Sequence, residues 1–184
     1  MIVLASKSPR RKQILEELGY NFKIVVSDSE EVFDDSLSLD EALKKVAEAK
    51  NRDVRTLCPE DIILSADTIV CFENKILGKP KNETEAIRIL SSLSGQTHQV
   101  KTGVCLSSPE KSITIVETTN VTFRVLSLKD ILDYVHSGRC MDKAGAYGIQ
   151  ETDFVQEIEG SYSNVVGLPK NRVQALFQEL EVNL

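Results

Sequence analysis

The sequence contains few of the residues that build metal clusters and nucleophilic triads. Its two histidines, His98 and His136, leave little material for a histidine-based metal centre or a Ser/His/Asp triad. Its four cysteines lie far apart and include no Cys-x-x-Cys pair, a pattern typical of free thiols in a reducing compartment. The composition therefore argues against a zinc site and against a triad hydrolase.

The chain also lacks long apolar runs and an excess of positive charge. No run approaches the roughly 18 apolar residues of a membrane-spanning helix, and the apolar segment at residues 1–5 is too short for a signal peptide. The formal net charge of −6 disfavours a general nucleic-acid or membrane-surface binder. We expect a soluble, cytoplasmic protein whose functional basic residues are concentrated locally.

What is present suits one domain with a proper core. The length of 184 residues and the hydrophobic content of 41% allow a single domain or a two-lobed single unit. Ser8 and Pro9 match the N-cap and first position of a helix. Ser38, with Glu41 three residues on, opens a helix predicted to end near Asn51, so that Lys50 would close it.

Strand signals separate these helices. An apolar strand is predicted over residues 62–72, and two long strands over 97–107 and 112–125 form a hairpin. Short strands are predicted at 154–158 and 164–166. Because hairpins alternate with strand–helix units, the pattern indicates an α/β (mixed α+β) fold with a mixed, partly antiparallel sheet.

The start of the chain predicts a phosphate site. An apolar strand at residues 2–5 leads into a hydroxyl-rich turn, and Arg10 and Arg11 fall in the first turn of the following helix. A helix N-terminus disfavours each cation by about 0.3–1 kcal/mol. A bound anion would remove this penalty, because backbone N–H groups, the Ser6 and Ser8 hydroxyls and the guanidinium groups could converge on one phosphate. The alternative is a pair of exposed helix charges.

An aspartate in the apolar strand is the second strong signal. Asp67 lies within a run that is otherwise fit for burial. An ionised carboxylate is costly there unless it is paired, hydrogen-bonded or bound to a metal. It could simply cap a nearby backbone group at a strand end, but we favour a metal ligand or general base.

Other polar residues have ordinary explanations when each is taken alone. Lys50 near a helix end, Lys79 in a turn and the acidic loop with Glu30 and Glu31 would usually be solvated. Together they match the needs of a nucleoside triphosphate–metal complex. Candidates for phosphate binding are Ser6, Arg10, Arg11, Lys50 and Lys79; for the metal, Glu31 and Asp67; and for the base edge, Thr68 and Gln150.

Five segments in order resemble the motifs of the Maf family of nucleoside triphosphate pyrophosphatases, a family first tied to septum formation. These segments are residues 4–11, 65–70, 76–80, 141–150 and 161–169. The resemblance covers nearly the full length. It implies an elongated fold akin to inosine triphosphatases, with flanking helices and two lobes around a central cleft in one domain spanning 1–184.

The resemblance also implies an activity. Family members hydrolyse a nucleoside triphosphate to the monophosphate and pyrophosphate with a divalent cation, Mg²⁺ or Mn²⁺. The segment at 142–150 resembles the branch that acts on dTTP and UTP, with modified pyrimidine nucleotides as further candidates. The alternatives are the sister branch that prefers 7-methyl-GTP and a non-catalytic nucleotide-binding regulator of septum formation. A homodimer is a further expectation from the family.

The family pattern assigns roles to individual residues. Asp67 matches the proposed proton acceptor. The positions that match other active-site residues are Ser6, Arg10, Arg11, Glu31, Lys50 and Lys79, and those linked to substrate choice are Arg10, Thr68 and Gln150. Asn51 departs from the pattern, which usually has Ala there, and leaves the register of Lys50 open. Glu30 remains an alternative to Glu31.

Overall fold

A computed structural model describes residues 1–28 and 30–180 as a mixed α/β fold. The strands are β1 (Ile2–Leu4), β2 (Phe22–Ile24), β3 (Ile62–Phe72), β4 (Lys75–Leu77), β5 (Thr97–Ser107), β6 (Ser112–Phe123) and β7 (Val155–Glu159). The helices are α1 (Pro9–Glu17), α2 (Leu39–Leu57), α3 (Glu83–Leu93), α4 (Leu128–His136), α5 (Tyr162–Val166) and α6 (Lys170–Glu179). A 3₁₀ turn, Ala144–Ala146, precedes β7.

The seven strands form a mixed sheet, as predicted. Their order is β2-β1-β3-β5-β6-β7, and β4 pairs with β3 outside this path. β1 runs parallel to both β2 and β3, whereas β3–β4 and β6–β7 are antiparallel. Within the described residues, no helix is long and apolar enough to span a bilayer. The four cysteines are buried free thiols, in line with the sequence.

The chain divides into two compact units. Unit 1 contains Met1–Asp67, Thr102–Glu117 and the residues from Gly167 onward, and unit 2 contains Thr68–Lys101 and Thr118–Val166. The arrangement of residues 1–184 as one domain stays a prediction.

Unit 1 is built around the parallel strands β1 and β3. Ile2 pairs with Ile62 and Leu4 with Leu64. All three residues of β1 are buried, as expected for a parallel strand covered on both faces. Val54 of α2 packs on this core, so α2 is anchored against the strand that carries Asp67.

Helix α2 is longer than the sequence suggested. It begins as predicted, with the Ser38 hydroxyl accepting a hydrogen bond from the Glu41 N–H at 3.3 Å, but it continues to Leu57. The apolar stripe persists to Val54, and Arg55 then donates to three backbone carbonyls that follow the helix. The prediction that Lys50 closes this helix is therefore wrong, because Lys50 lies about two turns before its end.

Unit 2 has its own core, centred on aromatic side chains. The rings of His98, Phe123 and Tyr147 meet edge to face, with centroids 4.8–5.4 Å apart. The strand predicted at 164–166 is wrong, since this segment is the helix α5. Ser161 accounts for the difference, because its hydroxyl accepts from the Asn164 N–H at 3.1 Å and starts a helical turn.

His98 should make unfolding depend on pH. It is 1% exposed, and burial lowers its pKa from 6.5 to about 4. Below about pH 6.5 the unfolded chain binds a proton that the folded chain excludes, so stability is lost as the pH falls towards 4. We expect a loss of about 2–3 kcal/mol between pH 7 and 4.5 from this group, because a tenfold difference in proton affinity corresponds to about 1.4 kcal/mol.

Denaturant unfolding at the two pH values measures this effect. A His98→Gln variant should lose less stability than the wild type on acidification, while His136→Gln, at an exposed position, is the matched control. Equal losses in the wild type and His98→Gln would contradict the assignment.

Candidate active site

The start of α1 folds the Arg11 side chain back over the helix N-terminus. Ser8 caps the helix by accepting from the Arg11 N–H at 3.4 Å. The Arg11 guanidinium donates to the Ser6 hydroxyl at 3.2 Å and to the Gly167 carbonyl at 2.9 Å. Burial lowers the pKa of Arg11, while the nearby Asp67 opposes this shift. The first and last motifs of the sequence thus meet at this guanidinium.

Arg10 lies beside Arg11 in the first turn of α1 and is partly buried. Its positive charge contributes to lowering the pKa of Arg11. Two guanidinium groups at a helix N-terminus repel each other, and a bound polyanion would relieve this repulsion.

A lysine connects the two predicted acidic residues. Lys50 Nζ lies 2.6 Å from Asp67 Oδ1 and 2.6 Å from Glu31 Oε1. The Asp67 side chain is 9% exposed and that of Lys50 17%, whereas Glu31 is 52% exposed. Glu30, the alternative left open by the sequence, is exposed, and Glu31 is the glutamate that reaches Lys50.

The groups around Asp67 shift its pKa in opposite directions. Burial raises the pKa of Asp67, and the neighbouring Glu31 carboxylate adds to this rise. Lys50 and Arg11 act in the other direction by favouring the ionised form. A raised carboxyl pKa brings this group closer to the range in which it can accept a proton from water.

Asn51 explains how Lys50 reaches the site. Its amide donates to the carbonyls of Ile63 at 2.9 Å and Cys105 at 3.2 Å, and accepts from the Ser107 hydroxyl at 2.6 Å. Asn51, the residue that departs from the family pattern, is therefore buried and hydrogen-bonded. With Asn51 turned into the core, the preceding Lys50 extends to Asp67, which resolves the register left open by the sequence.

Asn51→Ala should destabilise the protein. The change leaves the Ile63 and Cys105 carbonyls without the amide donor, and a buried unsatisfied group costs about 1–3 kcal/mol. We expect a loss of about 2 kcal/mol in unfolding free energy, measured by urea denaturation. The double variant with Ser107→Ala should lose less than the sum of the single changes; strict additivity would mean that the two side chains are not coupled.

The remaining predicted residues lie in unit 2. Thr68 is partly buried in β3, and Lys79 and Gln150 are exposed. The Gly145 N–H donates to the Gly78 carbonyl at 3.2 Å, which ties the segment before Gln150 to the turn of Lys79. The structure thus brings together Ser6, Arg11, Glu31, Lys50 and Asp67 in unit 1. A shared site with the three residues of unit 2 stays a prediction.

Glu31 and Asp67 are the residues of unit 1 that could contribute ligands to a divalent cation. Among the described residues no group of three or more His, Cys, Asp or Glu side chains could hold a metal ion by itself. Mg²⁺ is usually held by one or two carboxylates together with substrate phosphates. Glu31 and Asp67, which already share one cationic partner in Lys50, provide such a pair.

Sequence reasoning missed one buried charge. Lys143 is 8% exposed, and its ammonium donates to the Arg139 carbonyl at 2.5 Å. Lysine is mostly exposed in proteins unless it is paired, so the residue type alone does not predict that Lys143 is buried. The nearby Gly148 was the one signal that could have found it, because a glycine in a polar turn can indicate a close approach of another group.

Comparisons with known proteins agree with the predicted family. A family model described as Maf-like protein matches residues 1–180. The dTTP/UTP pyrophosphatase of Chlorobium luteolum is 45% identical over 188 residues, covering 98% of this chain and 97% of that protein. The dTTP/UTP pyrophosphatase of Bacillus cereus (strain G9842) is 45% identical over 185 residues, covering 100% and 97%.

A solved structure shares the fold. The Staphylococcus aureus Ham1 protein matches with a TM-score of 0.51 at 13% identity, covering 98% of this chain and 99% of that one. At this identity the likeness concerns the fold alone. The match to the family over residues 1–180, together with the two relatives, shows that the chain belongs to the Maf-like protein family.

Proposed function

We propose that the protein is a nucleoside triphosphate pyrophosphatase that hydrolyses dTTP and UTP to the monophosphate and pyrophosphate. The observation that carries this proposal is the buried Asp67, paired with Lys50 and close enough to Arg11 for their charges to interact. The relatives named dTTP/UTP pyrophosphatase, 45% identical over nearly the whole chain, support the same substrates.

The residues of unit 1 divide the chemistry between them. Asp67 orients a water molecule for in-line attack on the α-phosphorus and accepts its proton, which its raised pKa favours. Arg11 and Ser6 donate to the phosphate oxygens and stabilise the charge that develops on the leaving pyrophosphate. A Mg²⁺ or Mn²⁺ ion held by Glu31 and Asp67 would screen the phosphates and make a bound water more acidic.

In this proposal, three residues of unit 2 also contact the nucleotide. Lys79 supplies a further cation for the phosphates, and Thr68 and Gln150 read the edge of the base. These roles are supported by the position of the three residues in segments that match the family pattern. The hydrogen bond from the Gly145 N–H to the Gly78 carbonyl joins two of these segments. The homodimer expected from the family stays a prediction.

A nucleotide panel tests the function. The purified protein is incubated with dTTP, UTP, CTP, GTP, ITP and 7-methyl-GTP in the presence of Mg²⁺ or Mn²⁺. Released phosphate is measured with and without added inorganic pyrophosphatase. We expect signal from dTTP and UTP that depends on the added enzyme. Preference for 7-methyl-GTP would favour the sister branch, and binding without turnover would favour a regulator.

Arg11→Ala should weaken triphosphate binding. A charge-assisted hydrogen bond contributes about 1.5–3 kcal/mol, so the dissociation constant of an α,β-methylene analogue of UTP should rise about 10- to 150-fold. Isothermal titration calorimetry measures this change. The matched control is Lys12→Ala, which removes a neighbouring exposed cation that pairs with Glu16. Unchanged affinity in Arg11→Ala would place Arg11 outside the site.

A further inference from the structure

Lys143 is a buried cation that the proposed reaction does not use. Its side chain is 9% exposed. Its ammonium donates to the Arg139 carbonyl at 2.5 Å and to Asp142 Oδ1 at 3.0 Å, and it lies 3.2 Å from Glu151 Oε1. A lysine ammonium has three N–H donors, and here three oxygens surround it.

The stem of Lys143 supports the turn that carries Gln150. A Cβ atom on Gly148 would lie 2.9 Å from Lys143 Cε and 3.1 Å from Cδ, so the Gly148 backbone rests directly on the stem. Residues 148–151 form a turn closed by the Glu151 N–H donating to the Gly148 carbonyl at 3.0 Å. Gln150 occupies one of its two central positions.

Tyr134 holds the same turn at both ends. Its hydroxyl accepts from the Gly148 N–H at 3.1 Å and donates to Glu151 Oε2 at 3.0 Å. The two oxygens of Glu151 are therefore shared between Lys143 and Tyr134. Gln150 is itself exposed and lines an open cavity of about 560 Å³ within unit 2.

We propose that Lys143 is a positioning residue that sets base selectivity by fixing the 148–151 turn, the backbone from which the Gln150 side chain extends. This inference rests on the proposed function. The edge of a carboxamide that faces a base presents one N–H donor and one C=O acceptor, which match the C=O and N–H groups of uracil and thymine. Rotated by half a turn, the same amide matches the edge of cytosine, so selectivity requires a fixed approach. Lys143 fixes the backbone that carries Gln150 through its ion pair with Glu151 and through its packing under Gly148, and so limits the positions from which the amide can reach a base.

The test compares selectivity in variants that loosen the turn. Lys143→Met keeps the length of the stem and removes the ammonium. We expect the ratio of kcat/KM for UTP to that for CTP to fall about 10- to 100-fold, mainly through a higher KM for UTP. Amide hydrogen exchange at residues 148–151 should become faster, a change that does not depend on turnover. Lys129→Met is the matched control, since Lys129 is an exposed lysine of the same unit that pairs with Asp133.

If Lys143→Met does not fold, a second variant tests the same inference. Glu151→Gln removes the charge at the more exposed end of the same pair, at a side chain that is 30% exposed. A wild-type UTP to CTP ratio in either folded variant would overturn the inference while leaving the pyrophosphatase proposal intact. Absence of UTP hydrolysis by the wild-type protein would instead overturn the proposed function, and the selectivity inference with it.

Discussion

Asp67→Asn is expected to reduce pyrophosphate release from UTP by about 10³-fold or more, while nucleotide affinity stays within a few-fold of the wild type. Asparagine has nearly the same shape but cannot accept the proton of the attacking water. The Asp67 carboxylate is 9% exposed and lies 2.6 Å from the Lys50 ammonium, so a solvent base cannot readily take its place. Steady-state kcat/KM and titration with the α,β-methylene analogue measure the two quantities.

The matched control makes the same aspartate-to-asparagine change outside the candidate active site. Asp53, on α2, accepts from the Ser27 hydroxyl at 3.3 Å and is partly buried. Asp53→Asn should retain turnover within a few-fold. If Asp67→Asn hydrolysed UTP at close to the wild-type rate, Asp67 would not be the proton acceptor. If it lost affinity as well as turnover, Asp67 would act mainly in binding.

Gly145→Ala is expected to cost about 2–5 kcal/mol of unfolding free energy. Gly145 has φ +71°, a left-handed conformation that costs an alanine about 1–2 kcal/mol. A Cβ atom there would lie 2.9 Å from Val70 Cγ1 and 3.1 Å from Val70 Cβ, and overpacking a core typically costs about 1–3 kcal/mol more. Urea denaturation of the purified variant measures the loss.

Comparison with a second glycine separates the backbone cost of Gly145→Ala from its packing cost. Gly138 has φ +73°, but among the described residues no atom beyond Gly138 and its two chain neighbours lies within 4 Å of the place that a Cβ would take, so Gly138→Ala carries the backbone cost alone. Gly145→Ala should be more destabilising than Gly138→Ala by the cost of the contact with Val70. Equal losses in the two variants would show that the core yields to the extra methyl group. Because Gly145 also donates to the Gly78 carbonyl, we expect the variant to raise the KM for UTP.

Local signals in the sequence predicted the parts of the fold that neighbouring residues determine. The caps at Ser8 and Ser38 begin helices because a hydroxyl next to free N–H groups acts over three residues. The buried Asp67 was recognisable because a charge in an apolar strand needs a partner. These features require no knowledge of which segments later come together.

Features that depend on distant segments were beyond this reasoning. The sequence predicts an end of α2 near Asn51, whereas the helix continues through Val54, which packs on the core, to Leu57. The segment at 164–166, a predicted strand, lies in the helix α5, where the Ser161 hydroxyl starts the first turn. The burial of Lys143 depends on Glu151, eight positions along the chain and across a turn that the sequence marks only through Gly148.

The hydrogen bonds of Asn51 couple this position to Ser107 and, through Ser107, to Arg55. Arg55 donates to the Ser107 hydroxyl at 2.6 Å, and this hydroxyl donates in turn to Asn51. An alanine at position 51 would leave the Ser107 hydroxyl without this acceptor and the Ile63 and Cys105 carbonyls without the amide donor. Removing all partners of a buried hydrogen bond can be nearly neutral, whereas removing one is costly. The free-energy cost of a substitution at position 51 should therefore depend on which side chains occupy positions 55 and 107.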